Sequence, residues 1–188
     1  MGNVGDVGSL AHCTIYNKKN LLMMILSVIS FALLFGYLGI MAIRKGIPDM
    51  VSDTYYQLGR GRGWIFSAVL TACAVMMMVA ILDSEKGTQA AAFLGTMGLV
   101  FVGFAPNYLD RDEYKVHKGA AIMSAVGCVA WCLSVNIIPT IVIGSLYAVY
   151  LVANDIARIA RSERKHHPWY WAEVSCFADV FASYWMVI

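Results

Sequence analysis

Residues Leu21–Ile43 read LLMMILSVISFALLFGYLGIMAI, an apolar run with no charged residue in it. A helix of that length, rising 1.5 Å per residue, crosses a hydrocarbon core of about 30 Å with some tilt. The composition of the whole chain agrees. Of 188 residues, 60% are hydrophobic and only 14% are charged, with mean hydropathy +0.65. A soluble domain carries roughly a quarter charged residues. The chain therefore reads as a single all-α, polytopic membrane domain, preceded by a short polar tail at 1–20. That tail lacks the apolar centre and small-residue cleavage site of a secretory signal, and Asp6 stands where a myristoylation signal places Ser or Thr.

Six spans are expected, at about 21–43, 64–82, 88–105, 119–134, 138–153 and 171–188. Backbone in lipid must satisfy its own hydrogen bonds, so runs this long and continuous mean helices. The stretch 119–153 would be about 52 Å long as one helix, too much for a single crossing. It divides at Val135-Asn136-Ile137, with Pro139 opening the next helix. Small residues mark the expected helix contacts. Ala120, Ser124, Cys128 and Cys132 recur every fourth residue, and Gly95, Gly98 and Gly103 thin the third span. The four cysteines within apolar runs show no CxxC spacing and read as packing residues.

Eleven of the fourteen Lys and Arg fall in the first, third and fifth loops or at their edges. The positive-inside rule puts those loops in the cytoplasm. The same loops hold most of the polar residues that invite a function. IPDMVSDTYYQLG, Ile47–Gly59, carries Ser52 and Asp53, and either dips to the interface or packs as a cap. Asn107 follows the third span, His117 opens the fourth, Asp155 ends the fifth, and Glu173 begins the sixth. Together they form a candidate binding face. Asp179 lies within the sixth span, where a carboxylate costs roughly 3 kcal/mol on insertion scales. It is either a proton-binding group or the floor of a polar cavity, or it fixes helix packing through a buried hydrogen bond. Arg158, Arg161, Arg164 and Lys165 form a basic patch suited to anionic lipid headgroups, each charge adding about 1 kcal/mol. The patch is short and has no nucleic-acid fold beside it, so nucleic acid is not an expected partner. No metal or cofactor is expected: histidine spacing is wrong for chelation, and no span contains the His a haem needs or the Lys a retinal needs.

Three of these places carry a resemblance. VSDTYYQLG, with Ser52, Asp53 and Thr54, is similar to a Ser-Asp-Thr motif in a first loop. GLVFVGFAPNYLDRDEYKVHKGAA is similar to a third span and loop ending in His-x-Gly-Ala, here Asn107, His117, Gly119 and Ala120. SCFADVFASYW sets Asp179 among aromatics in a last span. The chain thus resembles the six-span family of the damage-regulated autophagy modulators, the FGF-receptor-activating proteins and the yeast Sfk-type proteins. The resemblance implies lipid handling at a membrane more than a defined reaction. It departs from the family in a first loop richer in Arg, in the lack of a tail after the sixth span, and in orientation: those relatives are drawn with both termini in the cytosol, whereas the charge count here puts both outside.

Three functions follow as expectations. The first is a protein that binds or organises lipid, or scaffolds a membrane complex with protein partners, through the polar face. The second is an intramembrane lipid-modifying enzyme, a hydrolase or acyltransferase, using Asp53 and His117. The third is a proton-coupled carrier using Asp179.

Overall fold

A computed structural model of the protein describes residues 6–106, 109–160 and 167–188. Every regular element among the described residues is helical, with no strand among them. Seven α-helices follow in order: α1 (Asp6–Lys45), α2 (Thr54–Gln57), α3 (Trp64–Ser84), α4 (Gln89–Phe104), α5 (Arg111–Val135), α6 (Ile137–Ala160) and α7 (Pro168–Trp185). A short 3-10 turn, Val51–Asp53, leads into α2. Among the described residues, four helical stretches are long and apolar enough to cross a membrane: Lys18–Lys45, Trp64–Ser84, Glu113–Val135 and Ile137–Ala157. Helix α4 is apolar but shorter, and α7 carries Glu173 and Asp179. The described chain is thus an all-helical, multi-pass membrane protein.

Helix α1 starts at Asp6, so helix continues back through residues expected only as a polar tail. At 40 residues it is about 60 Å long, twice the hydrocarbon thickness. Helices α5 and α6 divide between Val135 and Ile137, where Asn136 turns its Oδ1 to the backbone N–H of Ile138 at 3.0 Å. Helix α7 starts with Pro168 in its first turn, where the missing N–H costs nothing.

Helices α4 and α5 touch backbone to backbone. A Cβ placed on Gly95 would lie 2.6 Å from the nitrogen of Cys128, one on Gly98 2.6 Å from that of Ser124, and one on Gly127 2.5 Å from that of Gly95. Close approach through glycine is how helices gain van der Waals energy where lipid removes the hydrophobic drive. The core lies between α1, α3, α4, α5 and α7, with Phe66, Ile81, Trp131 and Tyr184 almost wholly buried. Buried polar pairs cross it. Ser30 Oγ donates to the carbonyl of Cys73 at 3.1 Å, and Trp185 Nε1 donates to Ser27 Oγ at 3.0 Å. Helix α6 is peripheral and presents Ile138, Val142, Leu146, Val149 and Val152 outward. At the far end from the first loop, Lys19 pairs with Asp83 at 2.8 Å.

Candidate functional site

The first loop is a packed cap. Val51, Ser52 and Thr54 are buried. The turn is shaped locally by Asp53, whose Oδ2 accepts the backbone N–H of Met50 at 2.9 Å, the carboxylate half of a capping box. Thr54 Oγ1 donates to the carbonyl of Val51 at 2.7 Å and accepts from Tyr37 Oη at 2.9 Å, tying the turn to α1. Gly59, at φ +80°, ends the helical segment in a conformation that suits glycine.

The turn is also tied to α7. Glu173 Oε2 accepts the N–H of Val51 at 2.7 Å, and the N–H of Tyr170 donates to the carbonyl of Asp49 at 2.9 Å. His167, just ahead of α7, places Nδ1 2.9 Å from Asp49 Oδ1.

The third tie runs to α5. Ser52 Oγ lies 3.1 Å from His117 Nε2, and His117 Nδ1 lies 2.8 Å from the carbonyl oxygen of Ala105. A carbonyl only accepts, so Nδ1 carries the proton. In the neutral ring Nε2 is then the acceptor, and the Ser52 hydroxyl donates to it. Helix α4 explains why that carbonyl is available. Ala105 caps the helix and Pro106 follows, so the ladder stops there. The donor four residues on, Leu109 N–H, goes to Tyr56 Oη at 3.0 Å. The Tyr56 phenol oxygen accepts this bond, and burial pushes its pKa above the ordinary value.

A cleft of about 300 Å³ opens beside this cluster between α3, α4, α5 and α7. Ser52 and Glu173 line one end, and its walls are mainly apolar, including Phe66, Leu70, Leu99, Ile122 and Phe177. A smaller cavity of about 50 Å³ continues inward past Leu99, Ser124, Ala125 and Cys176 toward Ser30 and Cys128.

The expected polar face is therefore gathered in part. Ser52, His117 and Glu173 surround one turn, and Asp53 shapes it. Asp155 is exposed on α6 and is not among the cleft's lining residues. Asn107, Arg161, Arg164 and Lys165 lie outside the described residues, as does the side chain of Arg158. Asp179 is buried within α7, accepting a long hydrogen bond from Ser183 Oγ at 3.4 Å, with the Cys132 thiol close by. It lines neither cavity. No group of three His, Cys, Asp or Glu is arranged for a metal among the described residues.

Sequence reasoning missed the contributions of Tyr37, Tyr56 and the Ala105 carbonyl. Signals existed for two of them: a Tyr inside an apolar run needs a hydroxyl partner, and a Pro after a span stops the helix, leaving its last carbonyls without helical donors. No protein-family model matches the chain, and no curated protein or solved structure is significantly similar to it.

Proposed function

We propose that the protein binds a membrane lipid, with its polar portion at the Ser52–His117–Glu173 cluster and an acyl chain in the cleft between α4, α5 and α7. One observation carries this reading: the cleft's walls are mainly apolar, with Ser52 and Glu173 at the end beside the first loop and Ser124 the further hydroxyl on its wall. Its volume is at the lower end of the range for ligand pockets, about 300–1,000 Å³. The resemblance to the autophagy-modulator family points the same way, toward lipid handling.

The proposal includes six crossings, α4 and α7 joining the four longer helices. At 16 and 18 residues these two would reach about 24 and 27 Å, short of the core but within what local thinning accommodates. With the positive-inside rule, the first loop and the cleft's polar end then face the cytoplasm. Arg158, Arg161, Arg164 and Lys165 would meet anionic headgroups on that side. A carrier reading draws on Asp179 alone, and Asp179 is separate from the cleft.

Native mass spectrometry of the protein, taken gently from its own membrane, tests the binding reading. A retained lipid class is expected, and it is lost in Ala125→Trp, which fills the slot without removing a polar group. A protein that retains no lipid but carries a second polypeptide would instead be a scaffold subunit.

A further inference from the structure

We propose that Ser52 is a nucleophile, activated by His117, that takes the acyl group of a lipid ester bound in the cleft. The proposal rests on the lipid-binding reading and adds a reaction to it. Three features meet at one atom. Ser52 Oγ donates to His117 Nε2 at 3.1 Å. The imidazole is held in the tautomer a general base requires, because the Ala105 carbonyl occupies Nδ1 at 2.8 Å. Ser52 also lines the polar end of an apolar cleft, where an ester carbonyl would lie if its acyl chain ran inward past Leu99 and Phe177.

A serine alone is a weak nucleophile, and a positioned base corrects this. Here the Ala105 carbonyl does the work of the orienting third group. It fixes the ring and supports the imidazolium electrostatically without itself taking a proton. In the reaction, Ser52 Oγ attacks the ester carbonyl carbon while its proton passes to His117 Nε2. The tetrahedral adduct collapses, the ester C–O bond breaks, and His117 returns that proton to the leaving alcohol. Water then attacks acyl-Ser52, giving one proton to His117. As the acyl–Oγ bond breaks, that proton returns to Ser52 and the carboxylic acid leaves. The sum is one ester and one water consumed, one alcohol and one acid produced. The expectation that paired Asp53 with His117 is thereby replaced by a Ser52–His117 pair, with Asp53 shaping the turn through Met50.

The full chain in detergent micelles, treated with a long-chain alkyl fluorophosphonate, tests the proposal by peptide mass spectrometry. The expected result is a single phosphonyl adduct on Ser52, formed with loss of fluoride. Its rate of formation should fall about 10²- to 10⁴-fold in His117→Gln, the range for losing a general base. The adduct is mapped on the unaltered protein, so the result does not depend on whether any variant folds. Folded, lipid-retaining protein with no adduct at Ser52 would overturn the nucleophile and leave the binding reading standing. An adduct that forms equally fast in a folded His117→Gln protein would remove His117 from the reaction. Loss of retained lipid on labelling is expected as well, since adduct and lipid would occupy one cleft. An adduct on Ser52 with no lipid ever retained would fail the binding reading instead.

Discussion

Glu173 on α7 accepts the backbone N–H of Val51 at 2.7 Å, across 122 residues of chain. The N–H belongs to the first residue of a 3-10 turn and has no acceptor within that turn. A carboxylate from another helix supplies one, and the turn that presents Ser52 is thereby docked against the cleft.

That relationship predicts a graded response. Glu173→Gln keeps an amide oxygen for Val51 and is expected to cost little. Glu173→Ala leaves a buried N–H without an acceptor, which costs about 1–3 kcal/mol. Thermal unfolding in detergent distinguishes the two, and equal losses would mean that the charge, not the acceptor, holds the turn.

The close contact between α4 and α5 is expected to tolerate no added side chain. Gly95→Val or Gly127→Val drives a side chain into the neighbouring backbone and is expected to cost about 1–3 kcal/mol. Gly36→Ala and Gly39→Ala meet nothing within 4 Å and should stay within about 0.5 kcal/mol of the parent. Unfolding in a graded detergent series reads both, and a tolerated Gly95→Val would mean the helices are farther apart than this.

Tyr56→Phe removes the acceptor for Leu109 N–H, a solvent-facing bond worth about 1 kcal/mol or less. Stability should hardly move. Amide exchange at Leu109 should quicken several-fold, because its N–H loses this acceptor in the first loop. Unchanged exchange there would show that the segment is held by other contacts.

Asp179→Asn keeps an oxygen for Ser183 and is expected to preserve both the fold and cleft occupancy. Asp179→Leu removes the Ser183 acceptor and one partner of the Cys132 thiol, and should destabilise by about 1–3 kcal/mol. Proton flux into vesicles discriminates the carrier reading, which requires flux in the parent and its loss in Asp179→Asn.

Orientation is testable from the two ends of the bundle. In a cysteine-free background, Arg60→Cys and Lys86→Cys should differ: a membrane-impermeant thiol reagent added outside intact cells labels the second and not the first. The reverse pattern would invert the charge-based assignment.

Much of this protein is determined locally. Leu21–Ile43 can do little in lipid but form a helix, because backbone groups there have no water to bond. Asn136 with Pro139 marks the division between α5 and α6, since the chain from 119 to 153 exceeds one crossing. The glycines of α4 and the small residues of α5 announce a close contact, although not which atoms meet. The helical turn inside the first loop was harder to read. Its dihedrals depend on Asp53 reaching back to Met50 and on Glu173 arriving from the other end of the chain, and only the first of these is local.

The cluster itself belongs to the tertiary structure. Ser52, Ala105, His117 and Glu173 are spread over more than a hundred residues, and no spacing rule links them. They meet because α4 ends ahead of Pro106 and leaves the Ala105 carbonyl open, α5 returns His117 to it, and α7 docks on the first loop. Sequence alone determined that the chain is helical and multi-pass and where its long apolar helices lie, since those follow from hydropathy and the cost of exposed backbone. Which polar groups share a proton, and which cleft they face, was decided only by the packing of helices distant in sequence.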